Sequence, residues 1–344
     1  MILIIVTAGK ARGEKHVKRV RRTTLAGIAI AGAVSIAAAC GSDDGETADA
    51  GALPVVATTT VVADIVENVG GDDVEVTTLV GRETDAHTFE PEPSDSAAIA
   101  DAALVFEVGR GFEEWLDSAV EASGSDAEIV TLSDSVDVIE ASEEAHSDEE
   151  GEAHSDEEGE AHAHGGEDPH VWMTAANGAL MTEAVADALA EADPENADAY
   201  RERAAAYEGQ LEVAQTEIAA TLGPLTDEQR VLFTNHDAFG YFAAEHGFEV
   251  LGTALNSVTT EGADPSAADV AAVVEEIEES GAPAIFPENV ANSDLLETIA
   301  READVAVGPV LATGALGEEG SAAGTYLGLL QSNAEAIATS LEGS

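Results

Sequence analysis

Residues 193–224 read DPENADAYRERAAAYEGQLEVAQTEIAATLGP. Pro194 stands where a first-turn proline is tolerated and Gly223-Pro224 is a stop, so the spacing predicts one helix over 194–222. A helix of nearly eight turns suits a rigid connector between two bodies.

The flanks fit that reading. Before it, strand-like apolar runs at 54–60, 74–80, 103–108 and 128–132 alternate with helical patterns at 61–69, 94–101 and 112–122, and a further helix is expected over 174–192. After it the rhythm resumes, with strands at 230–235, 248–255, 284–287 and 305–309 and helices at 237–246, 265–280, 293–302 and 322–341. Such alternation implies parallel sheets. The fold class is α/β: an N-terminal lobe over 53–192, the connector over 193–223 and a C-terminal lobe over 224–344. At 344 residues and 45% apolar content, the chain can supply a core for each lobe.

Residues 1–39 carry Lys10, Arg12, Lys15, Lys18, Arg19, Arg21 and Arg22, then the apolar run from Leu25 to Ala39, then Cys40. That order is an export signal, and its end, Ala37-Ala38-Ala39-Cys40-Gly41, resembles a bacterial lipoprotein signal whose cysteine is acylated after cleavage. Cys40 is the sole cysteine, which excludes disulfides within the chain. A plain secretory signal and an uncleaved anchor helix are the alternatives. Residues 40–52 are small and acidic and read as a flexible tether.

Charge excludes one class of partner. With 13 Lys+Arg against 69 Asp+Glu the formal net charge is −56, and only Arg82, Arg110, Arg201, Arg203, Arg230 and Arg301 are basic beyond Cys40. Such a surface repels phosphate backbones, so no nucleic acid is expected, while cations concentrate near it. Acidity by itself is equally a device for solubility or for salty surroundings.

Residues 133–167 interrupt the first lobe with an acidic, low-complexity insertion containing EEAHSDEEGEAHSDEEGEAHAH. It holds His146, His154, His162 and His164. The insertion is either an accessory tract that gathers metal weakly and is dispensable for tight binding, or a plain acidic insertion with scattered histidines.

Three other histidines stand at loop or strand ends: His87 in TDAHTFEPEPSD, His170 in EDPHVWM and His236 in TNHDAFGYF. Ligands of open α/β sheets bind beyond the carboxyl ends of strands. Neutral imidazole is a preferred zinc ligand, and three imidazoles from separate loops supply most of a tetrahedron. His246 reads as structural, Asp237 as a helix N-cap, and Trp172 and Phe89 as residues that wall the proposed ligands from water.

The segments AHTFEPEPSD, DPHVWM, NHDAFGYFAAEHG and LGEEGSAAGTYLGLL resemble the zinc and manganese substrate-binding proteins of ABC importers, the cluster A-I group, from Leu53 to the C-terminus. The resemblance implies two Rossmann-like lobes joined by one long helix. It also implies a metal in the cleft between them, ligated by His87 and His170 of the first lobe and His236 of the second. Manganese members tend to carry Glu where His236 stands, so Zn2+ is the expected cargo, with Mn2+ possible.

A loop that usually reads Ser-Asp-Ala-Leu-Gly appears here as Thr313-Gly314-Ala315-Leu316-Gly317. The fourth ligand is therefore water or a nearby acid such as Glu288. The implied protein is no enzyme. It is expected to be a monomer on the outer face of the cytoplasmic membrane, anchored through lipidated Cys40, that serves an ABC permease and its ATPase. A surface zinc-storage protein or adhesin could use the same site, and a three-histidine zinc hydrolase is the contrasting class.

Overall fold

The structure, a computed structural model, describes residues 51–82, 84–141, 166–254, 266–291 and 293–342. The leader, Cys40, the tether as far as residue 50 and the four histidines of the acidic insertion lie outside the described residues.

The first lobe follows the expected order. Strands β1 (Leu53–Ala57), β2 (Val74–Thr78), β3 (Leu104–Glu107) and β4 (Glu128–Thr131) form one parallel sheet in the order β2-β1-β3-β4. Helices α1 (Thr60–Gly70), α2 (Pro93–Asp101) and α3 (Leu116–Ser123) connect them. Period-2 alternation sends Val55, Ala57, Leu104 and Phe106 to the face covered by α1. Val56 and Val105 point the other way, against Ile99 of α2 and Leu116 and Ala119 of α3.

Helix α4 (Ala175–Ala192) leads to α5 (Ala197–Leu222), the connector, whose 26 residues span about 39 Å. It buries Tyr200, Ala204, Tyr207, Leu211, Ala214, Ile218 and Leu222, a stripe at three- and four-residue spacing. The helix begins at residue 197 rather than 194. Asp193 accepts hydrogen bonds from Asn196 Nδ2 and the Tyr200 hydroxyl, and this leaves Pro194 in a preceding turn. Arg203 on α5 donates to the carbonyls of Val69 and Gly70 and pairs with Asp73 at 2.9 Å, tying the connector to the end of α1.

In the second lobe β5 (Val231–Thr234) pairs with β6 (Glu249–Thr253), and β7 (Ala284–Ile285) with β8 (Ala306–Val307), all parallel. A hydrogen bond from Phe286 N to Phe233 O sets β7 beside β5. Both β7 and β8 are shorter than expected, because Pro283 and Pro287 bracket the first and Gly308-Pro309 ends the second. Helices α6 (Gly240–His246), α7 (Ala267–Ser280), α8 (Asp294–Glu302) and α9 (Tyr326–Glu342) complete the lobe. No helix among the described residues is long and apolar enough to cross a membrane.

The expectation of one core per lobe needs correcting. The largest cluster runs from β1 and α1 through α4, α5 and α9 to Leu232, Ala284 and Phe286 of the second lobe. Only the outer faces have separate cores: the α2–α3 side, and Phe233, Ile277, Ile285, Leu296 and Ile299 beneath α7 and α8.

Candidate metal centre

Three loops at the carboxyl ends of strands converge. His87 follows β2, His236 stands two residues past β5, and His170 precedes a short 3-10 turn leading into α4. One nitrogen from each imidazole lies within 4.8 Å of the other two. Nε2 of His170 and Nε2 of His236 are 3.3 Å apart. Two nitrogens about 2.05 Å from a tetrahedral zinc are separated by about 3.3 Å, so that edge already has the dimension of a ligated pair. Nε2 of His87 is buried without a hydrogen-bond partner among the described residues. An orphaned lone pair that dry is what a cation would satisfy.

Each ring is aimed by its own surroundings. Asp85 Oδ1 accepts the His87 backbone N–H at 3.0 Å, and Asp168 Oδ1 accepts that of His170 at 2.9 Å, so both histidines sit in an Asp-x-His turn. Asp168 Oδ1 also lies 2.8 Å from His170 Nδ1. Behind His236, Glu288 Oε2 is 2.6 Å from Nδ1, while Oε1 accepts the N–H groups of Asn235 and His236 at 2.7 and 2.9 Å. On His170 and His236 a carboxylate beside Nδ1 favours the tautomer that leaves the Nε2 lone pair facing the centre.

The electrostatics favour neutral ligands at His87. Burial, helped by the neighbouring His170 and His236, holds it down to about 2. At His236 burial lowers the affinity for a proton, but the Glu288 carboxylate, with Asp85 and Asp237, outweighs it and the net shift is upward. Glu288 is pushed up by burial and down by His236 and its donors, with a net downward shift.

Aromatic rings close the site. Phe112 packs edge-on to His87 at 4.6 Å and to Trp172 at 4.7 Å, and Trp172 lies 5.4 Å from His170. Phe89 packs edge-on against Trp115, whose indole N–H donates to the Ala86 carbonyl next to His87.

The structure thus brings His87, His170 and His236 together and sets Glu288 on the Nδ1 side of His236. Gly314 lies next to Thr313, whose hydroxyl donates to Glu288 at 2.9 Å. His246 ends α6 against the Phe242 ring, apart from the cluster.

Asp237 is not the expected N-cap. Helix α6 starts at Gly240 with Phe239 as its cap, because Ala238 N bonds back to His236 O and turns the chain first. Asp168, Phe112 and Thr313 were not singled out from sequence. The Asp-x-His spacing was the available signal for Asp168 and the departure of the loop from Thr313 to Gly317 from the family pattern was one for Thr313, while nothing local marked Phe112.

A helix-bridged pair of α/β lobes with a buried three-imidazole cluster at their strand ends defines a metal-binding protein of the two-lobed solute-binding kind. Residues 55–340 match the family described as zinc-uptake complex component A, periplasmic, and the chain belongs to that family. It is 30% identical over 307 residues to the manganese-binding lipoprotein MntA of Halalkalibacterium halodurans, covering 89% of this chain and 94% of that one. With the manganese-binding lipoprotein MntA of Bacillus subtilis it shares 29% over 312 residues, covering 88% and 94%. Among solved structures it resembles the periplasmic zinc binding protein TroA from Treponema pallidum, with a TM-score of 0.74 and 27% identity over 85% of this chain and 99% of that one. Membership makes the chain an extracytoplasmic metal-binding component of an ABC importer and not an enzyme.

Proposed function

We propose that the chain captures one Zn2+ through His87, His170 and His236 and delivers it to an ABC permease driven by its ATPase, while lipidated Cys40 holds it at the outer face of the membrane. The observation that carries the choice of zinc is the donor set. Three imidazole nitrogens face the centre, and the nearest carboxylates, Asp168 and Glu288, engage the opposite nitrogens of their rings. A nitrogen-rich tetrahedral site suits zinc, whereas manganese prefers more ligands and more oxygen. Both oxygens of Glu288 are occupied by His236, two backbone N–H groups and Thr313, which supports water as the fourth ligand.

The similarity to manganese-binding lipoproteins gives Mn2+ a rival claim. Competitive titration decides between them, using Zn2+ and Mn2+ against the full chain, a deletion of 142–165, and His87→Ala, His170→Ala and His236→Ala. The expected result is one tight Zn2+ that survives the deletion, is lost in each alanine variant and is not displaced by equimolar Mn2+. Preferential Mn2+ retention would overturn the zinc assignment. Tight binding that disappears with the insertion, leaving the alanine variants unaffected, would instead indicate zinc storage on His146, His154, His162 and His164.

A further inference from the structure

We propose that Thr313 is a positioning residue for metal binding, a fully buried residue whose hydroxyl and carbonyl link His236 of the second lobe to the surroundings of His170 in the first. The inference rests on the three-histidine site above.

Thr313 engages all three of its polar atoms. Its hydroxyl donates to Glu288 Oε2 at 2.9 Å, the same oxygen that lies 2.6 Å from His236 Nδ1. Its carbonyl accepts the indole N–H of Trp172 at 3.0 Å, and Trp172 stands two residues from His170 with its ring 5.4 Å away. Its amide donates to Asn289 Oδ1 at 3.0 Å. The continuous path is His170, Trp172, Thr313, Glu288, His236, with the first two residues in one lobe and the last three in the other.

The segment bearing Thr313 is itself held. Asn333 of α9 both donates to and accepts from the backbone of Ala312, Asn289 donates to the Ala315 carbonyl, and Thr60 of α1 accepts the Leu316 N–H. The hydroxyl therefore reaches Glu288 from a fixed frame.

The hydroxyl matters because Glu288 is 2% exposed and has few ways to be satisfied. Oε1 is spent on two backbone N–H groups, whereas among the described residues Oε2 is met by Thr313 and the imidazole. Without the hydroxyl the carboxylate can rotate about its bond to the chain, and His236 loses the constraint that aims Nε2. Partners of this kind, one step removed from the ion, typically alter metal affinity 10- to 100-fold.

The test uses the full chain with Zn2+ and Co2+ as probes: Zn2+ affinity against a competing chelator, and the visible absorption of one equivalent of Co2+, which reads ligand geometry. Thr313→Val removes the hydroxyl at nearly constant shape and should weaken Zn2+ about 10- to 100-fold while shifting the Co2+ bands. Thr313→Ser should restore both. Wild-type affinity and an unchanged Co2+ spectrum in Thr313→Val would overturn the proposal and leave the cleft intact, whereas tight binding by His236→Ala would instead overturn the cleft. If Thr313→Val does not fold, Thr313→Ala removes the same hydroxyl, and wild-type Zn2+ affinity with an unchanged Co2+ spectrum there overturns the proposal equally.

Discussion

Glu113 should make part of the protein's stability fall as the pH rises. The side chain is 6% exposed and accepts hydrogen bonds from the Thr58 hydroxyl at 2.6 Å and from the backbone of Val108 and Gly109 at 2.9 and 3.0 Å. Burial outweighs these donors and pushes its carboxyl from 4.5 up to about 7. A folded-state value above the unfolded one means that the folded chain binds the extra proton. The associated stability is complete below about 4.5 and is lost as pH rises through about 7. At about 1.4 kcal/mol for each pKa unit by which the two states differ, the loss between pH 5 and pH 8 is on the order of 2–3 kcal/mol.

Glu113→Gln keeps the shape and removes the titration, so the variant isolates this one group from the other acids. Urea unfolding of both proteins at pH 5, 6, 7 and 8 should show the variant gaining on the wild type by about 2–3 kcal/mol across the range. A difference independent of pH would show that Glu113 does not change its protonation there, and the reasoning from burial would fail. Because Glu113 pins the turn that carries Phe112 onto His87, Zn2+ affinity in the same buffers reads whether that turn moves.

Two further outcomes follow from close packing. A Cβ at Gly240 would meet Asp168 Oδ2 at 2.5 Å, so Gly240→Ala should push the carboxylate off His170, destabilise the fold by about 1–3 kcal/mol and weaken Zn2+, as thermal unfolding and titration would show. Gly314→Asp restores an acid beside Thr313; its Cβ would meet Val290 at 3.3 Å, a contact a small shift relieves, and competition binding should move the preference toward Mn2+ relative to the parent.

Much of the architecture could be read from the chain because local pattern and tertiary role coincide. The central strands β1 and β3 of the first lobe are buried on both faces and read as short apolar runs. The connector has proline before it and glycine after it. Expectation failed where backbone geometry overrode composition. Helix α3 begins at Leu116 rather than residue 112, because Gly109, Arg110 and Gly111 all adopt positive φ. Arg110 holds that conformation through ion pairs of 2.8 Å to Asp134 and 2.7 Å to Glu167. That turn frees Phe112 to face His87, a contact no periodicity could announce. The three histidines were legible from their chemistry and flanking segments. Glu288 was legible as an acid near the site, but its place behind His236 was not, since Glu288 and Thr313 are 25 residues apart and meet only through the fold.

The connector's attachment has a consequence for how a transporter could tell a loaded protein from an empty one. A hinge made of extended strands can swing two bodies through a wide arc, and a partner can then sense occupancy from gross outline. Here α5 is glued along its length to α1, α4 and α9 by a stripe of buried side chains and clamped by Arg203. Bending it would break open the very core the lobes hold in common. The silhouette is therefore nearly fixed, and any signal of occupancy has to be written in fine print: small displacements of the loops around the histidines, legible only to a surface that touches them directly.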